Sequence, residues 1–217
     1  MQPNNIHNLL RFDSEQLYCV FDFETERTNL LTMNRPWQMS YLVGKGNEIL
    51  DIKEYYIWWD DLWVSDGAAR ATRFNYEFYK QNAKPQNEIL PEFEKYLYDD
   101  KFIKIAHNGF NFDIYVHNQW RKNNGLSSNW SYLHRLLDTD ALARAWKIGV
   151  KSISPNEWPI SMIKYGGYIQ KGMRTNLTAL GKEFNITDVD YNNLHNACED
   201  VKLTFKVWNQ LKFKIDI

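Results

Sequence analysis

The segment Leu17-Tyr-Cys-Val-Phe-Asp-Phe-Glu-Thr25 constrains this chain more than any other, because two carboxylates are set into an apolar run two residues apart. Side chains alternate across a strand, so Asp22 and Glu24 point to the same face. Acids are rarely placed inside an apolar strand, and two unpaired carboxylates are costly to bury. A divalent cation shared by the pair removes that cost. The alternative is an edge strand that offers both acids to solvent. An Asp-x-Glu triplet is common by chance, so its weight comes from the apolar residues around it.

A mixed α/β sheet follows from the pattern downstream. Strands are expected at Leu17–Phe23, Trp37–Val43 and Ile49–Trp58. A turn through Gly44-Lys-Gly46-Asn47 makes the three an antiparallel meander. Helical spacing is weak over Phe74–Asn82 and clear over Glu88–Tyr98 after Pro85. A short strand at Phe102–Ala106 ends at His107-Asn-Gly109, and a helix runs from Phe112 to Lys122. Arg135–Asp138 reads as a last strand and leads into a helix through Trp146. Residues 147–175, with Pro155, Pro159 and Gly166-Gly167, read as irregular. A short helix follows around Leu177–Phe184, then a final one with Val201, Phe205, Val207 and Trp208 facing inward. Antiparallel strands followed by alternating helix and strand give a sheet with helices packed on it.

The chain has 217 residues and a net charge of −1, enough for one domain and without a global basic field. A single domain over 1–217 is expected, with residues 145–176 as a long insertion. Cys19 and Cys198 stand far apart with no metal-ligand spacing, so both are expected to stay reduced. Met1–Asn8 lacks the apolar core of a signal peptide, and no apolar run approaches the roughly 18 residues that span a bilayer. These features predict a soluble, cytoplasmic protein with no membrane partner.

Three further residues belong with the acidic pair. Asp113 follows a strand tip, where ligands bind in α/β folds; it also suits the macrodipole of a helix start. Five helical residues leave His195 and Asp200 about 140° apart. The two therefore converge only if His195 lies at or before the start of its helix, for which Asp190-Tyr-Asn-Asn193 makes a plausible lead-in. Ala197 is small enough for close packing beneath such a site.

Taken together, the motifs resemble the DEDDh group of DnaQ-like 3′–5′ exonucleases, which share a ribonuclease H-like fold. Phe21-Asp-Phe-Glu-Thr25 looks like the first motif, His107-Asn-Gly-Phe-Asn-Phe-Asp113 like the second, and His195-x-Ala-x-x-Asp200 like the histidine form of the third. Asp138-Thr139, Leu142-Ala-Arg144 and Leu177–Leu180 are similar to the intervening segments. The second motif is closest to the Trex-type and exonuclease I-type branches.

The resemblance implies a nuclease that removes nucleoside 5′-monophosphates from a free 3′ end. Asp22, Glu24, Asp113 and Asp200 would hold two Mg2+ or Mn2+ ions that clamp the scissile phosphate. His195 would serve as general base, since an imidazole can take a proton near neutral pH. Phe23 and Thr25 would contact the terminal nucleotide through ring and backbone, with His107 and Asn108 at the neighbouring strand tip. The interval of about 90 residues between Asp22 and Asp113, which includes Trp58-Trp59 and Trp63, is roomy for the family.

Residues 141–182 carry Arg144, Lys147, Lys151, Lys164, Lys171, Arg174 and Lys182 against the single acid Glu157. Trp146, Trp158, Tyr165 and Tyr168 interleave with them, a composition that suits a strand channel. Arg121 and Lys122 offer a weaker second contact. Single-stranded DNA is the expected partner. An exoribonuclease, or a non-catalytic or proofreading subunit on the same fold, stays open, because discrimination at the 2′-hydroxyl rests on a few contacts.

Overall fold

The computed structural model describes residues 9–217, so the polar Met1–Asn8 segment lies outside the described residues. Its spine is β1 (Leu17–Thr25), which pairs antiparallel with β2 (Pro36–Lys45), itself antiparallel to β3 (Glu48–Ile57). The short β4 (Ala83–Lys84) adds parallel to β3 at one edge. On the other side β5 (Phe102–Ala106) pairs parallel with β1, and β6 (Leu136–Asp138) parallel with β5. The sheet order is β4-β3-β2-β1-β5-β6.

Alternation along β1 decides what each face carries. Phe21 and Phe23 point to one side, where α3 (Gln86–Leu97) and α4 (Asp113–Asn123) cover them. Phe93 lies 5.5 and 5.9 Å from the two rings, and Trp120 lies 6.2 Å from Phe23. Tyr18, Asp22 and Glu24 point to the other side, under the C-terminal α8 (Ala197–Leu211). There Tyr18 meets Phe205 at 6.0 Å and Trp208 edge-on at 5.8 Å. Buried apolar residues from Leu10 to Ile217 form one continuous cluster. The same helix therefore closes the core at its C-terminal half and brings its first turn over the acidic end of β1.

Gly44 was expected in a turn but lies within β2, because the Phe205 ring packs directly onto it. A Cβ there would sit 2.7 Å from that ring. The hairpin turn is Gly46-Asn47 instead.

Two helices, at Asp66–Thr72 and Trp158–Gly166, stand in regions where the sequence suggested none. The seven-residue α1 (Asp66–Thr72) is capped by the Ser65 hydroxyl, and α2 (Tyr76–Asn82), capped by Asn75, corresponds to the weak helical signal. Within the stretch expected to be irregular, α6 (Trp158–Gly166) buries Trp158 and Met162. Pro159 falls in its first turn, where the missing N–H costs nothing, so the apparent breakers mark the ends of a helix. The remaining helices are α5 (Thr139–Lys147) and α7 (Leu177–Glu183).

The inserted tryptophans are largely structural. The Trp59 indole donates to the Pro36 carbonyl at 2.6 Å, and Trp58 stacks on Tyr79. Cys19 and Cys198 are both free. Among the described residues, no helix is long and apolar enough to cross a membrane.

Trp208 is fully buried between α8 and β1. Trp208→Ala is expected to cost about 3–5 kcal/mol, as large-to-small core changes do. The check is a lower urea midpoint with an unchanged slope.

Candidate active site

The C-terminal edge of the parallel strands carries the site. Asp22 and Glu24 leave the end of β1 on the face that α8 covers. Asp113 is the first residue of α4, and its Oδ1 accepts the Phe23 N–H at 3.3 Å, between the two acids of β1. Gly109 permits the chain to turn back from β5 into α4: a Cβ at this position would lie 2.5 Å from the Ala106 Cβ and 3.8 Å from Asp113 Oδ2.

His195 stands outside α8, two residues before Ala197, with a left-handed backbone (φ 67°). That conformation bends it back over the helix start and removes the angular mismatch with Asp200 noted above. Asn196 caps the helix by accepting from Cys198 and Glu199, while the His195 N–H donates to Asp200 Oδ2 at 3.2 Å. One ligand atom from each of Glu24, His195 and Asp200 falls within 4.8 Å of the others. All five residues line one cleft of about 760 Å³.

Electrostatics in this cleft are those of an unbalanced acidic cluster. Burial raises the Asp22 carboxyl well above its usual range, and Asp113, Asp200 and Glu24 push it further. Glu24 is raised by the same causes, with Asp200 and Asp113 as the acting charges. Burial lifts Asp113 to about 8 with Asp138 adding to it, and lifts Asp200 to about 7 against the opposing His195 N–H. Four oxygen donors that resist ionisation side by side are the ligand chemistry of hard divalent cations. The residues present fit such ions.

Asp138 was read only as part of a similar intervening segment, yet it organises the neighbouring wall. Its fully buried carboxylate accepts N–H groups from Asn108, Phe110, Asp140 and Ala141 at 2.9–3.3 Å. It thereby caps α5 and ties the β5 tip to β6. An aspartate just ahead of a helical run is the signal by which a sequence can carry this role. Thr139 donates its hydroxyl to the Ala106 carbonyl at 3.2 Å and contacts His107 Nδ1 at 2.9 Å, so Nδ1 is the donor and Nε2 is bare. Burial pulls His107 down to about 4, which keeps the ring neutral. Asp140, Thr175 and Asn176 also line the cleft and carried no recognised signal.

Several expected nucleic-acid contacts stand elsewhere. The Phe23 ring is in the core, leaving its backbone at the cleft, and the Thr25 hydroxyl donates to the Arg27 carbonyl. Both follow from alternation, which turns odd positions of β1 away from the acids. Lys151 lies beside the C-terminal segment, where its carbonyl accepts from Asp216, and it is absent from the cleft wall. Arg121 is buried against Glu94.

Arg144 reaches the cleft but is paired with Asp140 at 2.8 Å, and Lys147 is paired with Glu183 at 2.7 Å. Trp158 is buried, and Trp146 stacks on Phe184, so neither offers a face to a base. Lys171 and Arg174 line a groove of about 620 Å³ with Lys147 and Lys182, which shares Met173 and Arg174 with the cleft.

A six-stranded mixed sheet with helices on both faces and acids at the strand tips defines a ribonuclease H-like fold. It is shared with Escherichia coli exonuclease I. A zinc-bound complex of that enzyme with single-stranded DNA superposes at a TM-score of 0.70, with 16% identity, over 92% of this chain and 41% of that one. A complex with a dA16 oligonucleotide gives the same TM-score and identity. A product-bound exonuclease I gives 0.68 at 16% identity, over 92% of this chain and 44% of that one. This chain thus spans about two fifths of the length of these structures. The fold expected from the motifs is the fold found. No protein-family model matches the sequence, and no curated protein matches it by sequence.

The raised carboxyls make a prediction about stability. The fold favours their protonated form, so in EDTA their penalty is complete above about pH 8 and is relieved as pH falls through about 8 and 7 toward 4. Thermal melts in EDTA should therefore show the melting temperature rising from pH 8.5 to 6. Mn2+ should raise it most at the alkaline end, and Asp113→Asn combined with Asp200→Asn should flatten both trends.

Proposed function

We propose that this chain is a divalent-metal-dependent 3′–5′ exonuclease acting on single-stranded DNA and releasing nucleoside 5′-monophosphates. The observation that carries this reading is the convergence of Asp22, Glu24, Asp113, Asp200 and His195 in one cleft from four separate elements. The fold shared with exonuclease I, solved with single-stranded DNA, supports the choice of substrate.

Asp22, Glu24 and Asp200 would hold one ion, and Asp22 with Asp113 a second. Such ions would supply charge neutralisation at the phosphate and lower the pKa of attacking water. His195 is exposed at the cleft mouth beside Glu24 and Asp200, placed to take the proton of that water. The 3′-oxygen of the shortened strand leaves. Neutral His107, with Nε2 as an acceptor, and the Asn108 carboxamide would hold the terminal nucleoside without adding charge. Arg174 and Lys171 would receive phosphates of the strand beyond it, Arg144 and Lys147 contributing less because Asp140 and Glu183 already balance them.

The decisive measurement is the product ladder from 3′- and 5′-labelled DNA and RNA oligonucleotides with and without Mg2+ or Mn2+. Asp22→Ala and Asp200→Ala should each lower turnover by about 10³-fold or more, with an unchanged or higher melting temperature in EDTA because a like charge is removed. His195→Gln should lower turnover by about 10²–10⁴-fold. Metal-dependent cleavage undiminished in Asp22→Ala would sink the proposal.

The basic groove makes a separate prediction. Each phosphate contact to a single strand adds about 0.7 to the slope of log affinity against log salt. Lys171→Ala with Arg174→Ala should lower the measured slope by about 1.4, and an unchanged slope would remove the groove from the substrate path.

A further inference from the structure

A further concavity, of about 250 Å³, opens on the sheet face that bears the acids. The inserted segment between β3 and α3 builds its outer side. Trp37, Tyr56, Phe74 and Phe78 supply its aromatic surface: Trp37 stacks on Tyr56 at 6.1 Å, meets Phe74 edge-on at 4.8 Å, and Phe78 meets Tyr56 at 5.3 Å. Phe78 is 50% exposed, so its ring is available to a ligand.

Position and polar groups identify the kind of ligand. In register, Glu24 pairs with Gln38 and Gln38 with Tyr56, a row running from the acids across β2 to β3. Neighbouring strands lie about 4.8 Å apart, so Tyr56 stands about 10 Å from Glu24. Asn193 and Asn196 line the pocket while Leu194 and His195, from the same loop, line the cleft, so one loop walls both spaces.

Among the described residues, the Asn193 carboxamide makes no hydrogen bond and Arg73, also at the pocket, makes neither a hydrogen bond nor an ion pair. A stacking ring, a free carboxamide for a base edge and a free guanidinium for a phosphate together suit a nucleotide. We infer that this pocket is a nucleotide subsite, seating an interior nucleotide of the strand whose 3′ end lies at the acids. The inference rests on the nuclease reading of the cleft for its choice of strand.

The test is fluorescence anisotropy of the full chain in EDTA, with 5′-labelled oligonucleotides carrying one abasic residue moved stepwise inward from the 3′ end. Loss of the base that stacks in the pocket should weaken binding about tenfold at one interior position. Phe78→Ala should weaken the intact oligonucleotide by a similar factor and erase that positional dip, while Arg73→Ala should lower the salt slope by about 0.7. A flat profile in the unaltered protein, or a dip that survives Phe78→Ala, overturns the subsite. Saturable binding of dAMP lost in Phe78→Ala, with a flat oligonucleotide profile, assigns the pocket to a free nucleotide and overturns the strand assignment. Cleavage assays run in parallel with Mn2+ separate the two ideas: a dip without cleavage strikes the hydrolase reading and leaves the subsite standing.

Discussion

Mutual repulsion among four carboxylates is the constraint around which this structure is arranged. Asp22 and Glu24 from β1, Asp113 from α4 and Asp200 from α8 are forced into one space, where Glu24, Asp113 and Asp200 raise the proton affinity of their neighbours. No guanidinium or ammonium is among the charges that act on them. Of the two arginines in the cleft wall, Arg144 is held by Asp140. The cluster survives because the elements that carry it are fixed elsewhere by apolar packing: Phe21 and Phe23 against Phe93, and Tyr18 against Phe205 and Trp208. An acidic site held together by its surroundings is preorganised for a cation, since the geometry exists before the charge that would relieve it arrives.

A second level of organisation lies behind the acids. Asp138 is as buried as any of them, yet four backbone N–H groups meet it, and its carboxyl rises only to about 6. The contrast separates two uses of the same side chain. Hydrogen-bonded, a buried carboxylate fixes the β5–α4 loop and the start of α5; surrounded by other acids, it is left with a charge that a cation would relieve. His107 is governed by the same wall, its tautomer set by Thr139 and its charge suppressed by burial.

What the sequence made legible was whatever depended on local periodicity. Alternation along β1 paired Asp22 with Glu24, and the angular mismatch between His195 and Asp200 required a break in the helix, met by the left-handed His195. The same alternation also sends the Phe23 and Thr25 side chains to the opposite face, so closeness along the chain to the acids does not make a side chain a substrate contact. Gly44 and Pro159 were misplaced for a different reason. A glycine beneath an aromatic ring and a proline in a first helical turn look like loop signals until the partner, Phe205 or the helix itself, is present. Lys151 and Arg144 show the limit of counting charge along a chain: one lies beside Asp216 and the other is balanced by an aspartate one residue outside the counted window.

The cleft has two neighbours, and each shares a wall with it. The basic groove joins it through Met173 and Arg174 of a loop, whereas the aromatic pocket joins it through the His195 loop and stands on the sheet itself. These supports differ in stiffness. Side chains on paired strands keep their spacing to the acids, because register fixes Glu24, Gln38 and Tyr56 in one row; lysines on a loop keep only their charge. A strand engaged on both sides would have its position relative to the acids set by the aromatic side and its electrostatic attraction supplied by the basic side. Asn193, Asn196 and His195 belong to one short loop, so the wall of the aromatic pocket and the imidazole beside the acids share a single backbone support.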